Sequence, residues 1–211
     1  MYVPDYYRED DTAVMHALMR QAPFATLVTT TNDGLMGTHL PTVLQSAPAP
    51  FGTIEAHIAR PNSQWKTYRP DEDALLIFAG PNHYVRPAWY PSKTLEGKAV
   101  PTWNYAAVHA YGRVEIIKDQ IWLKQHVAEL TQQQERTSKE PWAISDAPED
   151  YIQMMLRGIV GIRMVITRLD GKWKMSQNRS NDDRAGVVNG LTTEDDANAS
   201  AVAKLIPLDE N

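Results

Sequence analysis

Cysteine is absent from the 211 residues, which excludes disulfides, thiolate zinc sites and iron–sulfur clusters. No apolar run approaches the ~20 residues that a membrane helix needs. The start, Met1-Tyr-Val-Pro-Asp-Tyr-Tyr-Arg-Glu-Asp-Asp, lacks the basic-then-apolar order of a signal peptide, so a cytoplasmic location is expected. There is no Gly-rich phosphate loop of the Rossmann or Walker type and no Gly-x-Ser-x-Gly elbow. His39, His57 and His109 lack metal-site spacing, and no metal is expected. The net charge of -5 argues against a surface that coats nucleic acid, while leaving room for a local basic patch. Two helical stretches late in the chain are separated by residues 136–147, far longer than the turn of a helix-turn-helix.

What is present suits a substantial core: 43% hydrophobic residues, with nine tyrosines and six tryptophans. Asp10-Asp11-Thr12 caps a predicted helix over 13–21. Residues 24–31 and 35–44 read as strands joined at Asn32-Asp33-Gly34, a hairpin turn in which the glycine accepts positive φ. Gly52 to Ala59 alternates as a half-buried strand, and Ala74–Ala79 is an apolar run suited to a central one. Residues 84–90 predict an aromatic edge strand, 91–102 a mobile loop, and 103–117 one long strand. Helical spacing follows at 119–134, with Trp122, Val127 and Leu130 on one face, and again at 149–156. A strand over 159–169, a tight turn at Asp170-Gly171 and a return over 172–175 come next, then a short polar helix or loop over 180–189. Strands early and helices late predict a mostly β or α+β fold, an antiparallel barrel decorated by helices. One domain over 1–191, with helical additions at about 119–157, and a frayed acidic tail over 192–211 are expected.

Four constellations carry candidate chemistry. In Gly52 through Trp65, a strand end meets a helix start at Arg60-Pro61-Asn62-Ser63, with His57 just upstream. Cationic and hydrogen-bonding groups beside exposed helix N–H groups suit a phosphate; the same residues equally serve to satisfy local backbone groups. His83 through Lys93 places three aromatics beside Arg86 and Lys93, either a slot with a cationic rim or ordinary strand packing. Trp103-Asn104-Tyr105 offers an amide that donates and accepts at once, which a flavin's imide edge requires and which a capping asparagine also provides. Lys172 through Arg179 ends in Ser176-Gln177-Asn178-Arg179, a run of hydrogen-bonding side chains with Lys174 just before it, suited to a ligand, to nucleic acid or to a turn.

At these residues the sequence resembles the PaiB-like, FMN-binding negative transcriptional regulators. The matching segments are Met1-Tyr-Val-Pro, Pro23-Phe-Ala-Thr-Leu-Val, Thr38-His39-Leu40-Pro41, Gly52 through Trp65, Phe78-Ala-Gly-Pro81, Tyr84 through Lys93, Val100 through Tyr105 and Lys172 through Arg179. Arg86, Ile58 and Pro61 depart from the expected pattern. The resemblance implies an FMN-binding split β-barrel, a homodimer with FMN at the subunit interface, and a repressor role in which DNA is a partner. It implies a site map in which Arg60, Asn62 and Ser63 hold the phosphate, helped by Lys174 or Arg179. Backbone groups of Thr38, His39 and Leu40 then meet the ring edge, while Trp103, Asn104 and Tyr105 close the ring site, with His57 orienting its neighbours and Gln177 assisting. The alternative within the same fold is an FMN-dependent oxidoreductase of flavin-reductase or pyridoxamine-phosphate-oxidase type.

Overall fold

The computed structural model describes residues 1–209. Nine strands are hydrogen-bonded in the order β1-β9-β6-β5-β2-β3-β4-β8-β7. They are β1 (Arg8–Glu9), β2 (Phe24–Thr31), β3 (Gly34–Gln45), β4 (Thr53–Ala59), β5 (Ala74–Val85), β6 (Thr102–Gly112), β7 (Val114–Ile117), β8 (Ile159–Val165) and β9 (Arg168–Lys174). The helices are α1 (Thr12–Gln21), α2 (Gln64–Thr67), α3 (Ser92–Glu96), α4 (Gln120–Glu135), α5 (Glu149–Leu156), α6 (Asn181–Thr192) and α7 (Ala197–Ala203). No helix among the described residues is long and apolar enough to cross a membrane. Contacts divide the chain into two compact units, each assembled from separated segments. The first comprises residues 1–15, 79–108 and 170–211; the second comprises 16–78 and 109–169.

In the second unit, β2 and β3 pair antiparallel from Phe24↔Pro41 to Thr31↔Gly34, with Gly34 at φ 108 where the tight turn demands it. The register continues from β3 to β4 and from β4 to β8. Alternation along β2 sends Ala25 and Leu27 inward to join Leu40, Ile54, Ile58 and Leu76, all nearly inaccessible. Each fully buried aliphatic side chain of this kind contributes about 1.5–3 kcal/mol. Helix α4 is capped by Asp119, which accepts from the Trp122 N–H, and buries Leu123, His126 and Leu130 at i, i+3 and i+7. Trp122 and Val127, expected on the buried face, lie only partly covered at its margin. Gly161 of β8 admits the Trp122 ring, since a Cβ there would lie 2.3 Å from the indole.

In the first unit, β1 pairs with β9 through Arg8↔Lys172 and Glu9↔Gly171. Asp170-Gly171 is therefore strand interior and not the expected turn; the chain reverses earlier, at Ile166-Thr167. The glycine serves close approach, because a Cβ would lie 2.7 Å from the Glu9 carbonyl oxygen. Strand β5 runs unbroken through Gly80-Pro81-Asn82 and ends at Val85, and residues 87–89 form a 3₁₀ turn where an aromatic strand was expected. The expected strand over 103–117 is two, β6 and β7, parted at Arg113. The expected mobile loop over 91–102 contains α3, anchored by buried Asp183, which accepts from the Ser92 N–H and hydroxyl at 3.0 and 2.8 Å. The tail also differs from expectation. Asp196 caps α7, which buries Ala199, Val202 and Ala203, and Ile206 follows them into the interior. Glu210 and Asn211 lie outside the described residues.

Candidate functional site

Two polar clusters stand out, one in each unit. In the second unit, β4 ends at Ala59 and Arg60 turns the chain toward α2. The Arg60 guanidinium donates through Nε to the Arg157 carbonyl at 2.6 Å and through Nη2 to the Ile159 carbonyl at 2.9 Å. Asn62 accepts from the Gln64 N–H at 2.9 Å, capping α2, and its Nδ2 donates to Thr38 Oγ1 at 3.0 Å. Ser63 opens α2 without a side-chain bond. Buried Gln64 donates to Thr29 Oγ1 and to the Met36 carbonyl, leaving its Oε1 without a partner. Arg60, Asn62 and Ser63 thus lie together at this corner, with Thr38 joined to it through Asn62. Exposed His39 is hydrogen-bonded through Nδ1 to Thr26 Oγ1 at 2.9 Å, and the Leu40 side chain is core.

His57 belongs to a different arrangement. Its Nδ1 lies 3.2 Å from Nε2 of His126, whose ring stacks on Trp122 at 5.1 Å and 7°. Burial, reinforced by the neighbouring His57, pushes His126 down to about 4, and burial also lowers His57. Both rings are neutral at pH 7, and His126 Nδ1 is buried without a partner.

In the first unit, a cavity of about 110 Å³ is lined by the start of β6 and the segment that follows β9. Asn104, wholly buried, exchanges hydrogen bonds with Ser176: Nδ2 donates to Oγ at 3.0 Å and Oγ donates to Oδ1 at 3.3 Å. Ser176 holds a left-handed φ of 61°, rare for a residue with a Cβ. Tyr7 donates to Asn178 Oδ1 at 3.0 Å, and Lys174 Nζ donates to Thr102 Oγ1 and, at 2.7 Å, to the Trp103 carbonyl. Arg179 lies over the Tyr90 ring, 4.7 Å from its centroid. The Tyr90 hydroxyl is buried close to Ser176 and Arg179 but meets neither in hydrogen-bond geometry. Among the described residues neither Lys174 nor Arg179 is ion-paired, and no carboxylate lines the cavity. Burial lowers the Lys174 pKa, and the positive charges of Lys172 and Arg179 lower it further.

Other expected site residues have local roles. Gln177 closes its own loop, accepting from the Met175 N–H and donating to the Trp173 carbonyl. Trp103 is half exposed and donates to Asn82 Oδ1 at 3.2 Å; Tyr105 lies beneath the Lys172 ammonium at 5.3 Å. In the expected aromatic slot, Arg86 pairs with Glu194 at 3.1 Å, and Trp89 packs on Gly186 and Gly190 of α6. Tyr90 lines the cavity, as do Tyr7, Ser176 and Asn178. Only the dense polar run 176–179 signals this wall in the sequence; nothing local marks Tyr7, whose partner lies 171 residues away.

The antiparallel sheet with appended helices is the flavin-binding split-barrel fold. It is shared with the flavocytochrome Anf3 of Azotobacter vinelandii at TM-score 0.61 and 14% identity, covering 87% of this chain and 78% of that one. It is shared also with the FAD and heme binding protein of Mycobacterium smegmatis at TM-score 0.57 and 11% identity, covering 85% and 79%. Residues 1–168 match the family described as "Putative FMN-binding domain", and the chain belongs to that family. Its relatives include the protease synthase and sporulation protein PAI 2 of Bacillus subtilis, 30% identical over 98% of this chain and 96% of the relative. An uncharacterized protein of Aspergillus fumigatus is 33% identical over 90% of each chain. The cofactor is FMN, and the residues present suit its phosphate: Lys174 and Arg179 line the cavity with no carboxylate against them.

Proposed function

We propose that this protein is an FMN-binding negative transcriptional regulator that acts as a homodimer with the flavin at the subunit interface. The observation that carries this reading is the likeness to the Bacillus protein, which extends over 98% of the chain, beyond the stretch that the family match covers. That relative's name links it to protease synthesis and sporulation. FMN supplies a redox-active ring, so a regulator that holds it has a ligand whose presence and oxidation state both report on the cell.

Two alternative sets of residues, each within one unit, are candidates for the cofactor: Thr38, Asn62 and Ser63 at the corner in the second unit, or Asn104, Lys174 and Arg179 around the cavity in the first. Arg60 contributes by fixing the corner, since two of its donors hold main-chain carbonyls. Each set is tested by itself through flavin fluorescence titration of Asn62→Ala and Asn104→Ala. Losing one hydrogen bond to a charged or ring acceptor should weaken binding by roughly tenfold; unchanged FMN affinity in both variants would refute the map. Light scattering during gel filtration reads the dimer. Binding to the protein's own promoter DNA with a steep salt dependence supports the regulator. Anaerobic bleaching of the bound flavin by NADH or NADPH with turnover, and no DNA binding, would instead make the protein an FMN-dependent oxidoreductase.

A further inference from the structure

The cavity of the first unit has a size and a donor set that together narrow what it takes. At about 110 Å³ it is several times the ~10–15 Å³ that one water needs. It is far below the ~300–1,000 Å³ of pockets that enclose whole drug-sized ligands. It therefore admits a small ion, or one end of a larger molecule, and no ring system. Its charged lining is cationic, Lys174 and Arg179, and its remaining polar lining is hydroxyl and amide from Tyr7, Tyr90, Thr102, Asn104, Ser176 and Asn178.

Two observations converge on an anion. The first is the pair of cations with no carboxylate against them, near enough to Lys172 for the three to feel one another. Unpaired positive charge drawn partly out of water is unfavourable until an anion joins it. The second is Tyr90, which is 2% exposed and presents a hydroxyl without a partner to this cavity. Buried donors are nearly always satisfied, so the hydroxyl points to a missing acceptor. Arg179 offers a planar fork and Lys174 a point charge, the combination that surrounds a tetrahedral oxyanion. We infer that Lys174, Arg179 and Tyr90 form a seat for a phosphate-sized dianion. Two of its three groups, Lys174 and Arg179, lie beyond the residues 1–168 matched by the family.

The test is calorimetric titration of inorganic phosphate into the full chain, freed of phosphate and flavin, beside Lys174→Gln, Arg179→Gln and Tyr90→Phe. Saturable binding is expected in the parent. It should weaken about ten- to a hundredfold in each cation variant and several-fold in Tyr90→Phe, the usual losses for charged and neutral hydrogen bonds. Line broadening of the phosphate ³¹P resonance on the parent protein reads the same event without any variant. Two sources could supply the phosphate, and competition separates them. If FMN expels the ion while riboflavin leaves it bound, the seat takes the flavin's own phosphate. If the ion binds equally to FMN-loaded protein, the seat serves a second phosphorylated ligand. No saturable phosphate binding, or equal affinity in parent and cation variants, overturns the seat; an intact FMN titration alongside that result leaves the flavin reading standing.

Discussion

The corner at Arg60 and the cavity at Arg179 gather similar groups, an arginine with amides and hydroxyls, and use them in opposite ways. At the corner the donors are committed inside the protein: Arg60 holds the Arg157 carbonyl at the end of α5 and the Ile159 carbonyl at the start of β8, Asn62 caps α2 and reaches Thr38, and Gln64 ties β2 to β3. At the cavity the amide of Asn104 is satisfied by Ser176, but Arg179 has no carboxylate and Tyr90 has no partner. The difference teaches that an arginine's sequence neighbourhood does not reveal what it is for. Arg60, with Asn62 and Ser63 around it, reads as the better anion residue; the structure makes it a brace and leaves Arg179 as the available fork.

Variants can break this contrast, and the largest effect expected is in the second unit, where His126 is buried beside His57. An unfolded histidine titrates near 6.5, and His126 in the folded protein near 4. As pH falls, the unfolded chain takes the proton first, so the contribution is whole above about 6.5 and is lost between about 6.5 and 4. The loss is at most about 3 kcal/mol. Denaturant melts across that window should show the slope, and His126→Phe, which keeps an aromatic ring against Trp122, should flatten it. Next comes Arg60→Ala, which frees two carbonyls from charge-assisted bonds and should lower stability by about 2 kcal/mol. A melt unchanged from the parent would show that Arg60 is no brace. Asn62→Ala removes a cap and one cross-strand bond and should cost about 1 kcal/mol in the same measurement. Arg179→Gln is the smallest: with no ion pair to lose, stability should stay within about 0.5 kcal/mol of the parent. A large destabilisation there would put Arg179 in the same class as Arg60 and erase the contrast.

Much of the fold is legible because it rests on local pattern. The period-two alternation of residues 24–31, the Asn-Asp-Gly turn and the Pro148 start of α5 each dictate their own conformation. What misleads are residues whose meaning depends on distant partners. Gly80-Pro81-Asn82 and Asp170-Gly171 carry turn chemistry, yet both sit inside strands; for Gly171 the facing Glu9 backbone needs the space of a missing Cβ. Residues 92–96 are helical because Asp183, 91 positions on, anchors Ser92. The small residues of 197–203 resemble a frayed tail until their burial is seen. The candidate site likewise rests on distant partners. Asn62 reaches Thr38 across the corner, and Tyr7 and Tyr90 join the cavity, through contacts that no spacing rule encodes.

The two units also bear on how this gene can be cut. Each is drawn from separated stretches, and β5, β6 and β9 each begin in one unit and end in the other. No single cleavage or truncation point yields either unit as a continuous polypeptide. A deletion that removes residues 170–211 takes Lys174, Ser176 and Arg179 with it and strips β1 of its partner strand. Each cluster also joins stretches far apart in the chain: the corner ties residues 29–64 to Arg157 and Ile159, and the cavity ties Tyr7, Tyr90 and residues 100–104 to residues 174–179.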